Sequence, residues 1–163
     1  MNSPLIAIVG DIDSKRQLDP PSTDPGRAKA AAEELGKELA LQGAHLLVYG
    51  GPYLESDVVR GYCAGNPKED HCILMWYSQD NEPAAFPEEA THPKLFLRRA
   101  EKGADWETAF YRAIARADGI LLVGGGNATS ISGQVAIGSR MPIIALSQFG
   151  GGAKKGLGNP ISW

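Results

Sequence analysis

Short apolar runs alternate along this chain with longer stretches whose apolar positions recur at helical spacing. Leu5-Ile6-Ala7-Ile8-Val9 is unbroken by polar residues and stops at Gly10, the pattern of a strand buried on both faces of a parallel sheet. Asp11 to Asp24 is polar, carries Pro20-Pro21 and reads as a loop. Asp24-Pro25 supplies an N-cap followed by proline at the first helical position. The helix it predicts covers Ala28 to Leu41, rich in Ala, Leu, Glu and Lys, and Gly43 closes it. Ala44 to Tyr49 predicts a second buried strand ending at Gly50-Gly51, and Glu55 to Cys63 a short helix.

Cys72 to Tyr77 predicts a third strand. Ser78 to Pro93 is polar, with Pro83, Pro87 and Pro93, and reads as a long surface excursion; Lys94 to Arg98 predicts a short strand. Asp105 caps an amphipathic helix reaching Arg116. Gly119 to Val123 is a further buried strand, ending at Gly124-Gly125-Gly126. Ser130 to Gly138 is helical by composition, Pro142 to Leu146 is the last strand, and Gly150-Gly151-Gly152 follows. After these the chain runs to Trp163 with no closing helix expected. Strands alternating with helices imply βαβ units with right-handed crossovers. The expected fold is α/β and Rossmann-like: a mainly parallel central sheet with helices on both faces. Residues 1–163 read as a single nucleotide-binding domain excised from a longer chain.

Composition narrows the partners. With 43% apolar and 21% charged residues, the chain can bury one core. A net charge of −3 argues against a general electrostatic grip on nucleic acid. The segment Met1-Asn2-Ser3-Pro4 has no basic region leading into an apolar one, and no apolar run approaches the roughly 18 residues of a membrane span. A cytoplasmic protein without membrane contact is the expectation. Cys63 and Cys72 are too few for a disulfide framework, and His71 beside Cys72 lacks paired-ligand spacing, so no metal site is expected.

The candidate chemistry is positional. Gly10, Gly50-Gly51, Gly124-Gly125-Gly126 and Gly150-Gly151-Gly152 all fall at or just beyond the carboxyl ends of predicted strands, the edge where open α/β sheets bind ligands. Any one of these turns is as well explained by tight turning alone; together they favour phosphate, held by the N-termini of the helices that follow. The sharpest signal runs from Gly124 through Asn127, Thr129, Ser130 and Ser132 to Gly133. Its hydroxyls and amide donate hydrogen bonds without adding charge, although one hydroxyl is expected to serve as the helix cap. No Asp or Glu follows Asp118, whereas Arg140, Lys154 and Lys155 do.

The Gly50-Gly51 turn, the run Ala117-Asp118-Gly119-Ile120-Leu121-Leu122-Val123-Gly124-Gly125-Gly126-Asn127-Ala128-Thr129 and the tail Phe149-Gly150-Gly151 resemble the SLOG superfamily. That superfamily includes the Lonely guy cytokinin-activating phosphoribohydrolases, nucleotide-sensing domains of bacterial defence systems and domains of the DNA-processing type. The hydrolases carry Pro-Gly-Gly-x-Gly-Thr-x-x-Glu. On this chain the proline falls at Gly124, the later glycine at Ala128 and the catalytic glutamate at Ser132; the upstream arginine falls at about Ala109, one turn from Arg112. Glycosidic cleavage needs a carboxylate, and neither Ser132 nor Gln134 supplies one.

The resemblance therefore implies a ligand sensor rather than an enzyme, with no cofactor required and no catalytic residue. It would bind a phosphate-bearing nucleotide, NAD-derived or cyclic, of the cyclic ADP-ribose type. It would act as a homodimer or higher homo-oligomer and regulate an effector domain on the same longer chain in antiviral defence. The alternatives are a nucleotide N-glycosidic hydrolase or nucleoside deoxyribosyltransferase-like enzyme, with a carboxylate from Glu55, Asp57 or Glu107, and a DNA-processing-type binding domain.

The expected ligand-binding set is Gly10, Asp11, Arg16, Gly50, Gly51, Pro52, Tyr53, Gly124, Gly125, Gly126, Asn127, Thr129, Ser130, Ser132, Phe149, Gly150 and Gly151. Asp11, Ser14 and Arg16 either reach the ligand or stay in a solvated loop, and Tyr53 either stacks on a base or covers its turn. Arg27, Arg60, Arg98 and Arg99 can fork onto phosphate or only solubilise the surface. Glu55 and Asp57 can accept from ribose hydroxyls or suit a helix's first turn. Trp76 and Trp106 are expected in the core or an interface. The glycine-lined rim is expected to be neutral to positive and free of any group able to break a sugar–base bond.

Overall fold

The computed structural model describes residues 3–156 apart from 14, 22 and 53, so Ser14, Tyr53 and the stretch ending at Trp163 lie outside the described residues. Six strands form one sheet: β1 (Leu5–Asp11), β2 (His45–Val48), β3 (Ile73–Ser78), β4 (Phe96–Glu101), β5 (Gly119–Gly124) and β6 (Ile143–Leu146). Their order is β4-β3-β2-β1-β5-β6, and each neighbouring pair is parallel. The helices are α1 (Pro25–Leu41), α2 (Leu54–Ala64), α3 (Pro87–Thr91), α4 (Trp106–Ile114), α5 (Asn127–Gly138) and α6 (Gly151–Gly156). The fold is the expected α/β, Rossmann-like one.

Alternate strand residues feed two cores, as the two-residue period of a strand requires. Ile8, Leu46, Val48, Met75, Leu121 and Val123 pack with α1 and α2 on one face. Ala7, Val9, Leu47, Trp76, Ile120 and Leu122 pack with α4, α5 and α6 on the other. On the first face α1 and α2 touch backbone to backbone. A Cβ added at Gly36 would lie 2.0 Å from the Val58 carbonyl oxygen, and one at Gly61 would lie 1.8 Å from that of Glu33. The capping expectations hold for two helices: Asp24 accepts from Arg27 N at 3.1 Å and Asp105 from Thr108 N at 2.8 Å.

Four local readings are corrected. Helix α5 begins at Asn127 rather than Ser130, with Gly126 as its N-cap and no side-chain cap, so none of Thr129, Ser130 and Ser132 caps it. The last strand is followed by a helix after all. Residues 151–156, Gly-Gly-Ala-Lys-Lys-Gly, have poor intrinsic propensity but are held by tertiary contacts, including Gly152 N to Gly125 O at 2.6 Å. The stretch from Ser78 to Pro93 is not only a surface loop: it contains α3 and buries Phe86 among the core residues. Strand β4 runs to Glu101 and starts at Phe96, because Pro93–Leu95 forms a 3-10 turn.

Candidate functional site

Strand order reverses at β1. On one side the chain continues outward through β2, β3 and β4, and on the other through β5 and β6. The crossovers from β1 and β5 therefore leave the sheet in different directions, and their carboxyl ends flank a crevice. Gly10 and Val123 are directly paired across it. The close approach requires glycine: a Cβ at Gly10 would meet the Val123 carbonyl oxygen at 1.9 Å. A cavity of about 500 Å³ opens there and extends over the end of β2.

At one end of this cavity stands the N-terminus of α5. Gly126, Asn127, Ala128 and Thr129 line it, and α5 has neither a side-chain cap nor an acidic residue in its first turn. The first N–H groups of a helix have no intrahelical partner, so these amides and the partial positive charge of the helix face the cavity. The loop beneath is fixed by backbone bonds, Gly125 N to Asp11 O at 2.8 Å and Gly152 N to Gly125 O at 2.6 Å. Arg16 lies at the mouth, 58% exposed, with Nη1 bonded to Asp11 and Nη2 close to Gly126. It is the one Lys or Arg among the described lining residues.

The other end is built around a carboxylate. Glu55, in the first turn of α2, accepts hydrogen bonds from Tyr49 N at 2.9 Å and from Gly51 N. It thus fills with its own oxygens the nest made by the Gly50-Gly51 turn. Burial pushes its carboxyl up to about 7, against the opposing pull of the Gly51, Tyr49 and Gly50 N–H groups. Two carboxylates stand among the glycine turns, since Glu55 lines the cavity as Asp11 does. The sequence signal was present, since a glutamate two positions into a helix after a Gly-Gly turn can reach back to the turn's amides.

The wall between these ends is aromatic. Tyr49 and Phe110 have ring centroids 4.5 Å apart, and Trp106 lies 6.2 Å from Phe110. Trp106, expected in the core or an interface, is 52% exposed at the cavity's edge. Trp76 is buried, lines the cavity and is flanked by the guanidinium groups of Arg99 and Arg116. The Tyr49 hydroxyl oxygen is buried without a hydrogen-bond partner among the described residues, and burial together with the Glu55 charge keeps it protonated.

Of the residues singled out from sequence, Gly10, Asp11, Arg16, Gly50, Gly51, Pro52, Gly126, Asn127 and Thr129 come together around this cavity. Gly124, Gly125, Ser130, Ser132, Phe149, Gly150 and Gly151 are not among the residues lining it. Ser132 is fully buried, its hydroxyl donating to Ala128 O at 2.8 Å. Ser130 packs against α6, Phe149 belongs to the core, and Gly151 N donates to Pro20 O at 2.7 Å. This second group braces the α5 loop from behind.

Asp57 and Arg60 pair with each other at 2.8 Å in a network with Glu33. Arg98 pairs with Glu82 and Glu89 near the far edge of the sheet, and Arg27 is exposed beside Asp24. Pro83 and Asn81, which the sequence did not single out, also line the cavity; Pro83 packs directly on Gly50. No group of three or more His, Cys, Asp or Glu side chains that could hold a metal ion occurs among the described residues. No described helix is long and apolar enough to cross a membrane.

No family model matches the chain, and no curated protein matches it in sequence. Solved structures do. A structural-genomics target, TM1055, superposes with a TM-score of 0.68 at 18% identity, covering 93% of this chain and 79% of its own. The molybdenum cofactor carrier protein of Chlamydomonas reinhardtii gives 0.61 at 14% identity, covering 87% and 75%. DNA processing protein A from Helicobacter pylori, described by its single-stranded DNA binding mode, gives 0.56 at 18% identity, covering 86% and 63%. The likeness is one of fold.

Proposed function

We propose that this chain binds a small molecule with a phosphate at one end and a planar heterocycle at the other, of nucleotide or pterin-phosphate type. The observation that carries the reading is the uncapped N-terminus of α5, which faces a cavity of about 500 Å³ beside Arg16 and Thr129. Free helix N–H groups and a guanidinium fork suit phosphoryl oxygens. The wall of Tyr49, Phe110 and Trp106 suits a flat ring. The resemblance to the SLOG superfamily agrees with this arrangement. A role in sensing NAD-derived or cyclic ADP-ribose-type signals, with an oligomer and an attached effector domain in defence, rests on that resemblance alone. A carrier role for a pterin-type cofactor has in its support the fold shared with molybdenum cofactor carrier and binding proteins.

Single-stranded DNA fits less well. A strand-binding groove presents successive cations to successive phosphates, whereas Arg16 is the single cation among the described lining residues. Hydrolysis of an N-glycosidic bond is the second reading, and Glu55 is the observation that favours it. Both of its oxygens already receive backbone N–H groups, which suits a strut better than a base. Isothermal titration calorimetry with AMP, ADP-ribose, cyclic ADP-ribose, NAD and molybdopterin, on wild type and Arg16→Ala, tests the binding reading. One ligand should bind, and Arg16→Ala should weaken it about 10-fold, the scale of one charge-assisted hydrogen bond. Binding indifferent to Arg16, or by none of the panel, overturns it. Free base released on incubation with AMP or NAD would establish the second reading instead.

A further inference from the structure

The crevice carries two nests of backbone N–H groups, and they are not equivalent. The one at the start of α5 presents its amides to the cavity without any side-chain acceptor. The one at Tyr49-Gly50-Gly51 is already filled by the Glu55 carboxylate, which is buried and accepts from Tyr49 N and Gly51 N. The two lie on strands β5 and β2, separated by β1, hence about 10 Å apart at about 4.8 Å per strand spacing. A ligand of mononucleotide length spans both.

We propose that Glu55 is a specificity-determining residue that restricts the site to ligands with one anionic end. It holds the place a second phosphoryl group would take, so a ligand presents its phosphate to α5 and an uncharged group to the Glu55 end. Two further observations support this. The single cation among the described lining residues, Arg16, stands at the β1 side beside Gly126 and is paired with Asp11, so a second anion over β2 meets no positive charge. Tyr49, Pro52 and Pro83, which line the cavity with the Gly50-Gly51 turn, carry no positive charge there either. Where the Glu55 carboxyl is ionised, a second phosphate facing it in the pocket meets like charge, which disfavours that ligand. Nucleoside monophosphates and singly phosphorylated heterocycles fit, as do ligands whose charged groups cluster at one end. Compounds with phosphates at opposite ends do not.

The inference rests on the proposed phosphate site at α5, and its test separates the two. Ribose 5-phosphate and ribose 1,5-bisphosphate are titrated calorimetrically at about pH 8, where the Glu55 carboxyl is ionised, into wild type and Glu55→Gln. Wild type should bind the monophosphate about 10-fold or more tightly than the bisphosphate. Glu55→Gln should narrow or reverse that ratio. Where the variant does not fold, the wild-type ratio decides by itself. Tighter binding of the bisphosphate by wild type overturns the role of Glu55 while leaving the α5 site standing, as does a ratio unchanged in a folded Glu55→Gln. Binding of neither compound overturns both.

Discussion

Replacing Glu55 with glutamine changes one oxygen for an NH2 group in a site where both oxygens accept from the backbone. The amide can accept at only one position. Its NH2 then faces a backbone N–H, leaving a buried donor unmatched at about 1–3 kcal/mol. That loss is independent of pH. Against it runs a titration that only the wild type has. The Glu55 carboxyl is raised in the fold from the usual 4.5 to about 7, so the folded state holds its proton to higher pH than the unfolded state. Its contribution to stability is complete below about pH 4.5 and is lost as pH rises through about 7. At about 1.4 kcal/mol per pH unit the loss totals about 3 kcal/mol. The stability difference between wild type and Glu55→Gln should therefore favour wild type at pH 4.5 and shrink, or change sign, by pH 8. Urea denaturation of both proteins across that range measures it. Curves separated by a constant offset would refute the argument, because they would mean that the carboxyl does not titrate between those limits.

Gly36→Ala should lower stability by about 1–3 kcal/mol or more, since a Cβ there meets the Val58 carbonyl oxygen at 2.0 Å and forces α1 and α2 apart; denaturant midpoints check this, and a silent substitution would contradict the packing. Ser132→Ala should cost less than about 1 kcal/mol, because its hydroxyl only returns a bond to Ala128 O. It should also leave ligand affinity unchanged in calorimetry. A clear loss of affinity would place Ser132 in the site after all.

Most of the sheet was legible because β1, β2, β3 and β5 are short, largely buried apolar runs ended by glycine or a turn, whereas the edge strand β4, with Arg98, Arg99 and Glu101, is not. Less legible was anything set by contacts distant in sequence. The helix at Gly151–Gly156 has no propensity signal and exists because its backbone docks on Gly125. Phe86 and Pro83 sit in a polar, proline-rich stretch, yet one fills the core and the other packs on Gly50. The glycine turns fall at the sheet edge where the cavity opens, since the crevice follows from topology. Glycine spacing could not reveal that the turn at Gly50 is filled from within by Glu55. Nor could it show that the Gly150 turn serves as a brace, because a turn that approaches a ligand and one that approaches backbone demand the same residue.

Backbone amide chemical shifts followed during titration with AMP test the central claim most directly. The account predicts that the largest changes fall on the N–H groups of Gly126, Asn127, Ala128 and Thr129 and on neighbours of Arg16. Shifts confined to other faces of the molecule would contradict it, as would no shift with any of AMP, ADP-ribose, cyclic ADP-ribose, NAD and molybdopterin.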